Sequence, residues 1–242
     1  AKITPNTKAM VIINPNNPTG AVYSREALEA IVRVAEANGL VLFSDEIYDR
    51  ILYDDAQHIP AATLCQDTLC VTFGGLSKVY RACGYRVGWA YFSGRKSHAT
   101  EYLQTLELLA SLRLCSNVPG QWAVQTALGG HQSIYELTAP TGRLGRQRAA
   151  VLTAVARSKH LSLVAPKGAL YGFVGVTKGR AKGFNDAAFA MALLEKKKVL
   201  VVPGSSFNVE YTDHFRITLL PDEETMATVF GRIEELLDEG AG

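Results

Sequence analysis

Long hydrophobic runs are missing from this sequence. Its apolar stretches, Val199–Val202 among them, are strand-sized, and none approaches the roughly 20 residues that a membrane-crossing helix needs. Metal-ligand spacing is missing too. The four cysteines, Cys65, Cys70, Cys83 and Cys115, form no C-x-x-C, and the five histidines form no H-E-x-x-H, which argues against a zinc site. Charge of one sign is nowhere concentrated. The formal net charge is +2 with 20% charged residues, so there is neither a basic stripe for nucleic acid nor an acidic tail. Scattered cysteines, with no charged–apolar–small segment opening the chain, suit a reducing cytoplasm. All four thiols are expected to be small buried apolar residues.

What is present is an alternation of strand-like and helix-like segments in 242 residues, 48% of them hydrophobic. After a short polar lead, Ala9–Ile13 is a continuous apolar run, so the chain is expected to start in the middle of an α/β alternation, with upstream sequence missing. Asn14-Pro15-Asn16-Asn17-Pro18-Thr19-Gly20 is dense in turn formers. Ser24 caps a predicted helix to about Asn38, with Gly39 as its stop, and Leu40–Phe43 is a second apolar strand. Such runs fit parallel strands covered on both faces. Cys70–Phe73 and Val87–Phe92 read as further strands, with Gly74–Lys78 as a loop between them.

Helices are predicted over Lys96–Leu112 and Gly120–Leu128. Another follows the breaker Ala139–Gly142 and runs to about Ser158. From Leu161 the texture changes. Short strands fit Leu161–Val164, Leu170–Val176, Val199–Val202 and Phe215–Leu219, and helices fit Asp186–Lys197 and Asp222–Asp238. The expected architecture is α/β: a mostly parallel sheet with flanking helices in residues 1–140, then a smaller α+β domain in 141–242 that includes the long linking helix.

Open α/β sheets bind ligands beyond the carboxyl ends of their strands, and three motifs fall there. They are Asn14–Gly20, Asp45-Glu46-Ile47-Tyr48 and Gly74-Gly75-Leu76-Ser77-Lys78. A lysine in a Gly/Ser loop reads by itself as a solvated charge, Asp45 as a helix cap, and Arg216 as an exposed strand arginine. Taken together, and with Arg86 eight residues past Lys78, Pro203–Phe207 and Phe215–Ile217, the motifs resemble the aspartate-aminotransferase superfamily, fold type I of the pyridoxal-phosphate (PLP) enzymes. Asp45–Asp55 and Leu108–Gly120 look most like bacterial alanine (glutamate–pyruvate) aminotransferases.

The resemblance implies the site. Lys78 would hold pyridoxal 5'-phosphate as a Schiff base, since a reversible imine needs an amine. Asp45 would keep the ring nitrogen protonated. Tyr48 and Asn17 would hydrogen-bond the ring oxygen, and Ile47 would pack on the ring. Arg86, helped by Ser77, would bind the phosphate. Gly75 stands where many relatives have a phosphate-binding serine. Arg216 would grip the substrate carboxylate, with Asn17 as a second substrate-binding residue. Glu46 reads as structural, Arg81 as exposed or interfacial, and the Lys167–Tyr171 and Pro203-Gly204 turns as scaffold. Asn17–Pro18 is expected to be cis.

The implied activity is amino transfer between an amino acid, alanine, and a 2-oxo acid such as 2-oxoglutarate or pyruvate, in a homodimer when full-length, with no nucleic-acid or membrane partner. Another fold type I reaction, such as a β-lyase, or a non-catalytic effector-binding module are the alternatives. No glycine-rich phosphate turn or ring-stacking aromatic precedes Asn14, so the chain alone is expected to bind PLP weakly and to be inactive.

Overall fold

The structure, a computed structural model, describes residues 2–177, 183–210 and 212–240. Two compact units share the chain. The first comprises Ala1–Pro15, Val22–Ile51 and Gln57–Ile134, and the second Asn16–Ala21, Leu52–Ala56 and Tyr135–Gly242. Two short early segments thus group with the carboxyl-terminal half.

In the first unit a four-stranded sheet runs in the order β1 (Ala9–Ile13), β2 (Val41–Asp45), β3 (Leu69–Gly75) and β4 (Gly88–Gly94). The first two pairings are parallel and the last is antiparallel. Helix α1 (Arg25–Ala37) makes the β1–β2 crossover. The Ser24 hydroxyl accepts from the Ala27 N–H at 3.3 Å, satisfying one of the donors that a helix start leaves open. Leu28, Val32 and Ala35 fall on one face at helical spacing and are buried. Leu28 and Val32 join Ile12, Leu42, Ala61, Cys65 and Cys70 in the core.

Two sequence expectations change here, the Gly74-Gly75 loop and the burial of all four cysteines, and the direction of the fourth strand is settled. Gly74 and Gly75 belong to β3 rather than to a loop. The reason is their pairing with Trp89 and Gly88: a side chain at 74 would start 2.5 Å from the Trp89 ring nitrogen. β4 runs antiparallel because the connection is a short excursion closed on itself, with Leu76 N–H donating to Val87 O at 3.1 Å and Ala82 N–H to Leu76 O at 3.0 Å. No crossover helix fits in it. Cys65 and Cys70 are buried in the core cluster, but Cys83 and Cys115 are exposed, Cys83 in a 3-10 turn (Cys83–Tyr85) that buries no residue.

The predicted 96–112 helix starts as a 3-10 turn (Lys96–Ala99) before α2 (Thr100–Arg113), and α3 covers Val118–Gly129. Leu108, Leu109 and Leu112 on α2 and Trp122 on α3 are exposed. A short helix missing from the sequence reading, α4 (Ile134–Thr138), follows.

The second unit holds an antiparallel sheet in the order β5 (Leu161–Leu163), β6 (Tyr171–Val176), β8 (His214–Thr218) and β7 (Val202–Pro203). Helices α5 (Arg143–Arg157) and α7 (Glu223–Asp238) pack against each other, and α6 (Asp186–Lys197) follows the cap Asn185. The expected strand Val199–Val202 shrinks to Val202–Pro203. Val199 and Val201 are buried and Leu200 is exposed, but this edge meets β8 only at Val202 and Pro203, opposite Arg216 and Phe215, and Pro203 has no N–H to extend the ladder.

The segment around Asp54 is held within this unit by Arg148. Its guanidinium donates to Asp54 Oδ1 and Oδ2 at 3.2 and 2.7 Å and to Pro166 O at 2.7 Å. Gly20 is the tightest point. Its φ is +70°, an added Cβ would lie 2.3 Å from Pro166 Cβ, and its carbonyl accepts from Lys167 and Gly168 N–H at 2.8 and 2.9 Å. Gly20→Ala therefore meets both a disfavoured φ and a collision, and is expected to destabilise the chain by about 2–4 kcal/mol. An unchanged denaturant midpoint would contradict this.

Candidate active site

The register Ile13–Asp45–Phe73 aligns the carboxyl ends of β1, β2 and β3. Asp45 is the last residue of β2. Its Oδ1 accepts from Ile47 N–H at 3.1 Å, and among the described residues no cation pairs with it. Glu46 N–H donates to Phe73 O at 3.0 Å, tying the turn to the neighbouring strand. Tyr48 follows in that turn and is buried.

The excursion after β3 leaves at the same end of the sheet. Ser77 and Lys78 are half-buried there. The backbone carbonyl of Lys78 accepts from Arg81 N–H at 3.1 Å, while its ammonium makes no hydrogen bond or ion pair among the described residues. Arg86 is exposed, adopts φ 53°, and donates from Nη1 to Cys83 O at 2.8 Å. Arg81, also exposed, donates to Val79 O and to Ser133 Oγ at 2.9 and 2.8 Å. A serine at position 75 has little room, because a Cβ there would lie 3.0 Å from Val87 O and 3.1 Å from Ile47 Cδ1.

Glu46 turns into the interior. Its Oε1 accepts from Ser44 Oγ and Ala61 N–H, both at 2.9 Å, and its Oε2 lies 2.9 Å from His58 Nε2. Tyr23 N–H occupies Asn14 Oδ1 at 3.0 Å, so the Asn14 amide nitrogen faces His58 Nδ1 at 3.4 Å. Nδ1 is then an acceptor and the imidazole proton sits on Nε2, toward the carboxylate. Asn14 N–H also donates to Asp45 O at 2.9 Å. This buried network braces the backbone on both sides of the Asp45 side chain. Glu46→Ala strands three donors in the interior and is expected to cost about 3 kcal/mol of stability, read from the urea midpoint. A loss below 1 kcal/mol would show that the network does not hold this turn.

In the second unit Asn17 and Arg216 meet: Arg216 Nη1 donates to Asn17 Oδ1 at 3.1 Å. The Arg216 Nε is buried with no acceptor. Tyr171 and Phe207 place their rings 4.6 and 5.1 Å from its Cζ. Asn17–Pro18 is cis, as expected, and Asn14–Pro15 is cis as well.

The structure thus groups Asp45, Tyr48, Ser77, Lys78 and Arg86 in the first unit and Asn17 and Arg216 in the second. The supports around them, His58, Tyr171 and Phe207, were not legible in the sequence.

A family profile described as "Aminotransferase class I and II" matches residues 1–233. The chain belongs to that family. Over 235 residues it is 50% identical to glutamate-pyruvate aminotransferase AlaA of Escherichia coli (strain K12), covering 96% of this chain and 58% of that protein. Over 237 residues it is 47% identical to an alanine aminotransferase of Mycobacterium tuberculosis (strain ATCC 25618 / H37Rv), covering 98% and 55%. The chain therefore spans less than three fifths of the length of these relatives.

Among solved structures, an Escherichia coli aminotransferase matches with a TM-score of 0.94 at 48% identity, covering 98% of this chain and 59% of that one. An alanine aminotransferase from Pyrococcus furiosus matches with a TM-score of 0.90 at 36% identity, covering 98% and 59%. The fold is that of the type I PLP aminotransferases. No helix among the described residues is long and apolar enough to cross a membrane.

Proposed function

We propose that this class I and II aminotransferase chain carries the reacting lysine and the carboxylate-binding arginine of a PLP-dependent alanine aminotransferase, with 2-oxoglutarate as the amino acceptor. The observation that carries the reading is the pair formed by Lys78 and Asp45. A half-buried amine and a half-buried carboxylate, each without a charged partner among the described residues, follow adjacent parallel strands at one end of the sheet. Charges left unpaired in a fold otherwise rich in ion pairs fit a bound group that brings complementary charge. The names of relatives at 47–50% identity support alanine as the amino donor.

In this reading Lys78 would hold the cofactor through its amine and, as a free amine, would accept and return the proton at the substrate α-carbon. Asp45 holds the proton on the ring nitrogen, Tyr48 and Asn17 donate to the ring oxygen, and Ile47 covers the ring. Arg86 and Ser77 hold the phosphate, with the tight Gly75 position leaving that task to them and to backbone N–H groups. Arg216, steadied by Asn17, holds the α-carboxylate. PLP, when bound, supplies the electron sink that makes the α-proton acidic. Residues 1–140 form the cofactor-binding part and 141–242 the smaller domain of a cytoplasmic homodimer.

The test uses a chimera that joins this chain to the portion of Escherichia coli AlaA that it does not cover. With L-alanine and 2-oxoglutarate, pyruvate and glutamate are expected in equal amounts. A chimera silent on this pair that instead releases pyruvate and ammonia from L-serine, whose β-hydroxyl leaves as water, would replace transamination by a lyase reaction, and no product from either assay would remove the reading.

A further inference from the structure

The Arg216 guanidinium is enclosed more tightly than a strand arginine requires. The β6–β8 register sets Phe173 opposite Arg216 and Gly175 opposite His214, so Tyr171, Phe173, His214 and Arg216 share one face of the sheet. Tyr171 and Phe207 lie 4.6 and 5.1 Å from Arg216 Cζ, and Phe207 meets Phe173 edge-on at 6.1 Å. With Nε buried and Nη1 turned to Asn17 Oδ1, the donors left to a ligand lie along the Nη edge, in one plane.

Phe207 is itself held in place. It ends a 3-10 turn, Gly204–Phe207, that is pinned to α6 by the buried Asp186 carboxylate, which accepts from Ser205 N–H at 2.6 Å and from Ser205 Oγ at 3.0 Å. The turn also rests against β8 without space for a side chain at 204, where a Cβ would lie 2.7 Å from His214 O.

We propose that Tyr171 and Phe207 are positioning residues that fix the plane of the Arg216 guanidinium, with Asp186 anchoring the Phe207 turn, so that the site selects planar carboxylates over tetrahedral oxyanions. This rests on the reading of Arg216 as the carboxylate holder. A carboxylate lays both oxygens in the plane of a fixed guanidinium, whereas a sulfonate puts one oxygen out of that plane, against an enclosing ring. A freely turning guanidinium would discriminate little.

The test is nuclear magnetic resonance of the 242-residue chain with nitrogen-labelled arginine, the Arg216 Nε–H signal being assigned by its loss in Arg216→Lys. Exchange of that proton with water is expected to be slow. It is expected to quicken about tenfold in Tyr171→Leu and Phe207→Leu, and to stay slow in Tyr171→Phe and Phe207→Trp, which keep an aromatic face over the cation. Propionate is expected to shift the signal at a concentration roughly tenfold below ethanesulfonate, a preference the leucine variants lose. If the leucine variants lose the dispersion of their amide spectra, Asp186→Asn, with faster exchange, carries the test, with Phe207→Trp, still slow, as its control. Unchanged exchange across the folded variants overturns the clamp. Quickened exchange with no response to propionate in the unsubstituted chain leaves the clamp standing and removes the carboxylate reading beneath the selectivity.

Discussion

Lys78→Ala is expected to lower alanine-dependent pyruvate formation by on the order of 10⁴-fold or more in the chimera with Escherichia coli AlaA, because it removes both the covalent anchor and the proton carrier. The fold gives a clean background for that loss. The Lys78 ammonium makes no hydrogen bond among the described residues, and the excursion around it is closed by main-chain bonds from Leu76, Arg81 and Ala82. Truncating the side chain should therefore shift stability by no more than about 0.5 kcal/mol. A second readout does not depend on turnover. After incubation with PLP and reduction with borohydride, the unsubstituted protein should carry the cofactor on the peptide containing Lys78, and the alanine variant should carry none there. A variant that keeps more than a tenth of the activity, or a label found reproducibly on a different lysine, would overturn the assignment.

The parts of this chain that were legible in its sequence are those whose causes are local. Ser24, Asn185 and Asp222 each accept a hydrogen bond from an N–H three residues on, so the starts of α1, α6 and α7 can be read from a few neighbouring letters. The candidate site residues were legible for another reason: the Asp45, Lys78 and Arg216 motifs follow a family order.

What escaped depends on partners distant in sequence. The direction of β4 is decided by the closure of residues 76–87 upon themselves, and the length of β7 by where β8 happens to reach it. The His58 partners, Glu46 and Asn14, lie 12 and 44 residues away, and no periodicity marks such a pairing. Tyr171 opens β6 and Phe207 ends the 3-10 turn after β7, and only the folded chain brings both rings over Arg216. Polar networks and aromatic enclosures are products of tertiary packing, so a sequence shows their members without their association.

Asp45 and Glu46 provide a sharper test, because adjacent carboxylates have opposite assignments. Asp45→Asn preserves shape and can still accept the Ile47 N–H, so its expected cost in stability is below about 1 kcal/mol. It discards the negative charge, however, and an amide cannot hold a proton on a ring nitrogen. Amino transfer is then expected to fall by on the order of 10³-fold, the scale set by loss of a preorganised electrostatic partner. Substrate affinity, which belongs to Arg216, should change little, so the loss should appear in kcat and spare KM. Glu46→Ala should do the reverse: loosen the fold by about 3 kcal/mol and, where protein remains folded, keep most of its turnover. If Asp45→Asn instead lowered stability as much as Glu46→Ala while sparing kcat, Asp45 would be only the cap of its own turn, accepting from Ile47, and the carboxylate that serves the ring would have to be sought elsewhere in the chain.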